Sequence, residues 1–262
     1  MKTIRRVLTT QAMVLVALPL ALPTVRGGVA RASAFATLYN FQGGSDGSSP
    51  NGVVLGRNGA LYGTTNLGGP NTCEGSASTQ YLCGTVFELA PAKGAAWTKT
   101  VLHNFKGPDG AAPGASLVFG DNGALYGTTL EGASNDAFGS GYGGTVFELA
   151  PPAIAGGAWT EAVLYSLNHS TTPPNTATGR LLMGPGGALY ATAFDQGTTP
   201  GEGVGLGLVF MLTPPTAQGG SWTESTVFDF YPPSAMGVGP ESGVIFAGRS
   251  LYGTNTYRIG SI

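Results

Sequence analysis

One short pattern of apolar and polar residues recurs along the whole chain. A leucine and a tyrosine are followed by glycine and two threonines, and successive leucines are 64, 64 and 62 residues apart. The four copies begin at Leu61, Leu125, Leu189 and Leu251, the third being looser and the fourth close to the chain end. A fixed period of this size, carrying strand-forming residues, predicts a repeat architecture in which each unit is one supersecondary element.

Each period contains four predicted β-strands. The first is an apolar run that ends in a Gly- and Asn-rich turn, and the second is the Leu-Tyr-Gly-Thr-Thr pattern itself. The third carries Thr-Val-Phe-Glu-Leu, and the fourth begins at a tryptophan. Asn-Gly between apolar runs indicates a β-hairpin with a type I′ turn, in which both central residues have positive φ. In the first repeat the predicted strands are Val53–Leu55, Leu61–Thr65, Gly84–Leu89 and Trp97–Phe105.

Four antiparallel strands per unit, repeated radially, form the blade of a β-propeller. The predicted fold is therefore all-β and β-propeller-like, with blades of about 63 residues, three of them complete and one partial. The ring would be open or truncated, and a stacked solenoid is the alternative. The predicted interior consists of apolar side chains from the second and third strands: Leu61, Leu125, Leu189, Phe87, Phe147 and Phe210.

The combination of LYGTT, GTVFEL, Trp-Thr and a DG-x-x-P turn resembles the GloVer tandem repeat of secreted bacterial proteins. The resemblance covers Phe35 to about Tyr257 and is closest in the first two repeats. It implies an exported or surface protein, often with a C-terminal sorting anchor, and no enzymatic activity is assigned to the repeat. The chain stops at Ile262, where a third strand of the fourth copy would follow, so we expect a truncated copy of a longer propeller.

The N-terminus is predicted to be a signal peptide. Lys2, Arg5 and Arg6 precede an apolar run of 11 residues, Ala12–Leu22, and Ala32–Ala34 matches an A-x-A cleavage site. The run is shorter than the about 20 residues that span a bilayer. The predicted domains are a signal peptide at 1–34 and one repeat domain at 35–262, with repeats at roughly 42–105, 106–167, 168–230 and 231–262. The mature protein is expected to be periplasmic, surface-bound or extracellular.

Composition narrows the classes of partner. Removal of residues 1–34 takes away five Lys and Arg residues and no acidic ones, which leaves seven basic against fourteen acidic residues, a net charge of −7. Nucleic-acid and anionic-membrane surfaces need clustered positive charge, so both partners are disfavoured. A carbohydrate or another cell-surface component is the expected partner. No transmembrane anchor is expected in this chain, and the sequence does not indicate an oligomeric state.

The predicted ligand-binding face follows from the topology. In a meander, successive connections alternate between the two ends of the sheet, so the long loops between second and third strands share one end with the blade-to-blade turns. Long loops on a rigid scaffold usually carry binding function. In an exported chain Cys73 and Cys83 are expected to form a disulfide in one of these loops. The candidate ligand-binding residues at this end are Tyr81, Asp109, Asp136, Tyr142 and Asp195.

No catalytic residues, metal site or cofactor site is predicted. His103 fills a position that is Tyr39, Tyr165 or Phe228 in other copies, which favours packing, and His169 lies in a polar loop. Glu88 and Glu148 recur at one point of a repeated strand and are interpreted as structural. Three aspartates before Gly or Asn-Gly are interpreted as turn-forming, with Ca²⁺ binding as the alternative: Asp46, Asp109 and Asp121.

Three functional hypotheses remain. The preferred one is an exported, non-catalytic β-propeller repeat protein that acts as a surface binding, adhesion or scaffold module. The alternative is a propeller-type glycoside hydrolase or lyase using loop carboxylates, which need a separation of roughly 5–9.5 Å. The third is an inactive truncated fragment.

Overall fold

The computed structural model describes residues 13–17, 35–74, 80–93, 96–132, 144–167, 176–177, 179–194, 207–217, 219–230, 240 and 242–254. Within these ranges the chain consists of β-strands and turns, with short 3-10 segments at Gly44–Asp46 and Pro185–Gly187. The predicted all-β class is confirmed. Over the part of the chain so described, no helix is long and apolar enough to cross a membrane.

The strands are numbered in chain order. They are β1 Met13–Ala17, β2 Phe35–Asn40, β3 Ser48–Leu55, β4 Leu61–Leu67, β5 Thr72–Glu74, β6 Gln80–Leu82, β7 Thr85–Pro91, β8 Trp97–Asn104, β9 Ala111–Pro113, β10 Val118–Phe119, β11 Leu125–Glu131, β12 Thr145–Ala150, β13 Thr160–Ser166, β14 Thr176–Ala177, β15 Leu182–Met183, β16 Leu189–Phe194, β17 Leu208–Thr213, β18 Thr223–Asp229, β19 Ile245–Ala247 and β20 Ser250–Tyr252.

Each repeat forms one antiparallel meander. The first sheet has the order β3-β4-β7-β8, and in the second β10-β11-β12-β13 follow one another in the same way. In the third, β16-β17-β18 follow in order and both β14 and β15 pair with β16. The first strand is continuous but bulged in repeat one, whereas in repeats two and three it is split into two segments. The four predicted strands per unit are therefore present, as propeller-like blades.

One hairpin and one further strand pair lie outside these meanders, and a second hairpin represents the fourth repeat. β5 and β6 form a small hairpin within the long loop of the first repeat, and β19 and β20 pair in the fourth repeat. β1, which lies inside the predicted signal peptide, pairs antiparallel with β2.

Close packing of strands explains the glycine of the repeated motif. Gly63 on β4 faces Phe87 on β7, and a Cβ at Gly63 would lie 2.7 Å from the Phe87 ring. Gly127 and Phe147 repeat this relationship at 2.6 Å. Because real Cβ atoms do not approach so closely, a side chain at either glycine would force the aromatic ring to move.

The two threonines of the motif have different hydrogen-bond partners. Thr64 Oγ1 donates to the carbonyl of Ala115 in the next repeat, at 3.3 Å. Thr65 Oγ1 lies 2.8 Å from Thr85 Oγ1 on the neighbouring strand of the same sheet. Both hydroxyls are fully buried, so each needs such a partner. In the first repeat, one threonine thus joins neighbouring repeats and the other joins strands of one sheet.

The hydrophobic core lies between repeats as well as within them. The Phe41 ring, which precedes the first sheet, packs against Phe87 at 5.0 Å, and Phe105 of repeat one packs against Phe147 of repeat two at 5.2 Å. One buried cluster joins residues of repeats one and two, and another joins repeats two and three. The predicted interior side chains are all buried: Leu61, Leu125, Leu189, Phe87, Phe147 and Phe210. Neighbouring repeats therefore pack face to face.

The hairpin between β3 and β4 forms where predicted, with a different turn. Gly59 N donates to Gly56 O at 3.0 Å, and Gly56 N donates to Ala60 O at 2.8 Å. Gly59 has a φ of 80°, whereas Asn58 is not among the residues with positive φ. The type I′ prediction was wrong, because the loop between Gly56 and Ala60 has three residues instead of two and only the last of them, Gly59, adopts the left-handed conformation.

Candidate functional site

At the hairpin end of the sheets, a repeated glutamate binds a repeated tyrosine. Glu88 Oε1 accepts hydrogen bonds from Tyr62 Oη at 2.7 Å and from Asn58 Nδ2 at 3.2 Å. Tyr126 Oη donates to Glu148 Oε1 in the same way, at 2.8 Å. Burial, followed by the hydrogen bond to the carboxylate, raises the pKa of each tyrosine to about 12. These glutamates hold the hairpin against the third strand, which agrees with their interpretation as structural.

At the opposite end, the loop of the first repeat is braced twice. Cys73 and Cys83 form the predicted disulfide, with their Cα atoms 5.3 Å apart. Tyr81 Oη donates to Glu131 Oε2 at 2.6 Å, which ties this loop to β11 of the second repeat. Burial and the hydrogen bond to Glu131 raise the pKa of Tyr81. Tyr81 is therefore engaged in pinning its loop.

Three other candidate ligand-binding residues lie outside the described residues: Asp136, Tyr142 and Asp195. The same is true of His169. Asp109 is described, and it belongs to a cluster that sequence reasoning did not assemble.

We call the turn that links the fourth strand of one unit to the first strand of the next a junction. The cluster of Asp109 lies at the second junction, and the first junction, which precedes repeat one, has a related arrangement. At the first junction, Asp46 accepts hydrogen bonds from Tyr39 Oη at 2.7 Å and from the backbone N–H of Gln42 at 2.6 Å. Lys99 Nζ lies 3.0 Å from Asp46 Oδ1, and the Lys99 side chain is only 4% exposed. Burial by itself would raise the pKa of Asp46, but the hydrogen bonds from Tyr39, Gln42 and Lys99 lower it.

The second junction has a histidine in the tyrosine position. His103 Nε2 lies 3.0 Å from Asp109 Oδ2, and the backbone N–H of Lys106 donates to Asp109 Oδ1 at 2.9 Å. Asp109 is 6% exposed. Burial would raise its pKa, but the hydrogen bonds from His103 and from the Lys106 N–H lower it. His103 also contacts the Phe105 ring edge-on at 4.9 Å, so the packing role expected for it is accompanied by a polar one.

Glu161 of the second repeat completes this cluster. The possible metal-ligand atoms of His103, Asp109 and Glu161 all lie within 4.8 Å of one another. Glu161 Oε1 is inaccessible to solvent and has no hydrogen-bond partner among the described residues. The pKa of Glu161 is raised to about 7, and burial is the largest cause. The charge of His103 lowers this pKa, whereas the negative charge of Asp109 raises it further.

The third junction retains part of the arrangement. Tyr165 Oη donates to Glu224 Oε2 at 2.7 Å, and burial followed by this hydrogen bond raises the pKa of Tyr165 to about 12. Glu224 stands two residues after a tryptophan, as do Lys99 and Glu161 in their repeats. The same three-dimensional position therefore carries an ammonium group at the first junction and a carboxylate at the next two.

The aspartates interpreted as turn-forming differ in their surroundings. Asp46 and Asp109 each accept a hydrogen bond from a backbone N–H within their turn, whereas Asp121 is exposed in a hairpin at the other end of the sheet.

Sequence reasoning did not select Glu161 or connect it with His103. The signal that could have found the cluster is the alignment of repeats, which shows Tyr39 becoming His103 and Lys99 becoming Glu161. Calcium binding at these aspartates remains a prediction.

One of the comparisons with known proteins, the family match, agrees with the repeat assignment. Residues 28–137 match the Gloeobacter/Verrucomicrobia repeat family, which confirms the resemblance over that part of the chain. No curated protein matches the chain. A similar solved structure is that of a protein of unknown function from Dyadobacter fermentans DSM 18053, 17% identical, with a TM-score of 0.36. The alignment covers 68% of this chain and 53% of that one, so the chain spans about half the length of that protein.

Proposed function

We propose that this protein is an exported, non-catalytic repeat protein that binds a cell-surface ligand at the long-loop end of its blades. The observation that carries the proposal is the double bracing of this end. The Cys73–Cys83 disulfide closes one loop, and the hydrogen bond from Tyr81 to Glu131 joins that loop to the next repeat. A preorganised loop surface loses less conformational entropy when a ligand binds.

Export is supported by three independent features. The disulfide is typical of an oxidising compartment, the first 34 residues have the pattern of a signal peptide, and the repeat motifs resemble those of secreted bacterial proteins. A mature net charge of −7 argues against polyanionic ligands, so a neutral carbohydrate is the first ligand class to test.

The test combines binding and turnover on the same ligands. The purified protein would be applied to a glycan array, and each glycan bound would then be incubated with it and assayed for cleavage. Saturable binding without cleavage supports the proposal. Cleavage that is lost on single substitution of Asp136 or Asp195 would overturn it in favour of the hydrolase or lyase alternative, and binding to no glycan would overturn the carbohydrate assignment.

A pair of variants tests the location of the binding face. Tyr81→Phe removes the hydrogen bond to Glu131 at the long-loop end, and we expect about tenfold weaker binding. Arg57→Ala changes an exposed residue in the hairpin at the other end and should leave the affinity unchanged. Equal effects of the two variants would place the ligand elsewhere.

A further inference from the structure

The junctions differ in the charge that faces their aspartate. At the first junction, the Lys99 ammonium contacts Asp46 at 3.0 Å and also lies 5.2 Å from the centre of the Phe41 ring. The negative charge of Asp46 therefore has a buried positive partner supplied by the chain. Nothing further is required to balance it.

At the second junction the chain supplies a second negative group instead. Glu161 occupies the place of Lys99, so its carboxylate lies near the buried carboxylate of Asp109. Like charges brought together away from water are unfavourable unless a cation or a proton neutralises them. The imidazole of His103 lies on the same side, 3.0 Å from Asp109.

The orientation of Glu161 is a second, separate observation. Its Oε1 atom is buried and has no hydrogen-bond partner within the described part of the chain, although most buried carboxylate oxygens have one. The first repeat, with Lys99 at this position, needs no additional group, and the second, with Glu161, leaves an acceptor unsatisfied. A cation at this position would satisfy the acceptor and also neutralise the neighbouring carboxylates of Asp109 and Glu161.

We propose that His103, Asp109 and Glu161 bind one divalent transition-metal ion, and that the ion is Zn²⁺. Zinc takes imidazole nitrogen and carboxylate oxygen at about 2.0–2.2 Å, in a tetrahedral arrangement whose fourth position is open in many sites. The three ligand atoms already lie within 4.8 Å of one another, so small side-chain movements would bring them onto one ion. Ca²⁺ prefers six to eight oxygen ligands and does not match a set that includes an imidazole.

The ion would join two repeats. His103 lies on β8 of the first repeat, Asp109 lies in the junction turn, and Glu161 lies on β13 of the second repeat. Zinc at this point would neutralise the carboxylates of the second junction, as the Lys99 ammonium neutralises Asp46 at the first. This inference goes beyond the proposed binding function and does not depend on it.

The experiment uses the whole protein, stripped of metal with a chelator and titrated with Zn²⁺ by calorimetry. We expect one zinc ion per chain, a melting temperature that rises with zinc concentration, and a tetrahedral absorption spectrum when Co²⁺ replaces zinc. Glu161→Gln keeps the shape of the side chain and should weaken zinc binding ~10-fold or more. Glu224→Gln changes the equivalent residue of the third repeat and should leave affinity and stoichiometry unchanged.

A charge-reversed variant keeps the proposal falsifiable if Glu161→Gln folds poorly. Glu161→Lys reproduces the lysine of the first junction and should fold without metal, lose the zinc-dependent rise in melting temperature and bind no zinc. The proposal would be overturned if wild-type protein binds no zinc, or if zinc binding survives in Glu161→Lys. Stabilisation by Ca²⁺ and not by Zn²⁺ would also overturn it.

Discussion

Lys99 and Asp46 form an ion pair that joins the first repeat to the turn before it. Lys99 Nζ is 3.0 Å from Asp46 Oδ1, and Lys99 also donates to the backbone carbonyl of Asp46. The lysine side chain is 4% exposed, whereas that of Asp46 is 22% exposed. A cation this deeply buried is stabilised by its partner and by the aromatic rings around it.

We expect Lys99→Met to destabilise the protein. The substitution preserves much of the apolar stem and leaves Asp46 without its cation, and breaking a buried pair costs about 3 kcal/mol. Urea denaturation would measure the free energy of unfolding. Lys93→Met changes an exposed lysine in the neighbouring loop and should stay within about 0.5 kcal/mol of wild type. Equal losses from the two variants would show that the Lys99–Asp46 pair is unimportant.

Stability should fall in strongly alkaline solution. Tyr62 and Tyr126 have pKa values raised from 10.0 to about 12, so the folded state holds their protons more tightly than the unfolded state. Their contribution is therefore fully present below pH 10 and is lost as the pH rises through about 12. The free energy of unfolding, measured between pH 9 and 12, should decline less steeply in the Tyr62→Phe/Tyr126→Phe double variant. An unchanged decline would contradict the prediction.

The disulfide should contribute measurably to stability. Cys73 and Cys83 are ten residues apart, and closing a loop of this size in the unfolded chain is worth about 2–3 kcal/mol. The Cys73→Ser/Cys83→Ser double variant should lose this amount in urea denaturation. A reducing agent should destabilise the wild-type protein and leave the double variant unaffected. Equal sensitivity of both proteins to reductant would contradict the assignment.

The motif glycine should not tolerate a methyl group in the second repeat. In Gly127→Ala the new Cβ would lie 2.6 Å from the Phe147 ring, and overpacking of this kind costs about 1–3 kcal/mol. The third repeat has Ala191 at the equivalent position, fully buried opposite Phe210. Ala191→Gly should also destabilise, by about 1 kcal/mol, because it removes a buried methyl. Thermal unfolding of both variants would check this, and a neutral Gly127→Ala would refute it.

Export predicts a defined N-terminus. When the complete chain is expressed in an export-competent bacterium, the exported protein should begin at Phe35. Ala34→Leu should block cleavage, because small residues are required before the cleaved bond, whereas Ala36→Leu should be processed normally. N-terminal sequencing measures the result. Recovery of the uncleaved chain from the cytoplasm in all three cases would contradict the signal-peptide prediction.

The strands and the interior were predictable because they depend on local patterns. Apolar runs, turn glycines and the recurrence of Leu61, Phe87 and Trp97 at fixed spacing place each strand and its buried face. The turn type at Asn58 was not predictable in this way. An Asn-Gly pair fits several turns, and the number of residues that the flanking strands leave unpaired decides between them.

The cluster of His103, Asp109 and Glu161 was harder to predict because its members belong to two strands and the turn between two repeats. His103 and Asp109 are six residues apart, but Glu161 comes from the next repeat and meets them only when the two sheets pack. The sequence analysis compared His103 with the aromatic residues of the other copies and interpreted Asp109 from the glycine that follows it, but it did not compare the copies at the position of Lys99. Comparison of all copies at once would have shown the change from Lys99 to Glu161.

The phenylalanine contacts between sheets have a consequence for how the gene can change. Phe41 and Phe105 each fill a space in the unit that follows, so a single unit cut out by itself would lack part of its own interior. Duplication of a whole unit, by contrast, places the apolar residue at the end of one copy against the interior of the next, because Phe41, Phe105 and Leu167 are all apolar and buried. A change in copy number by whole units therefore keeps a buried apolar residue at each contact between neighbouring units.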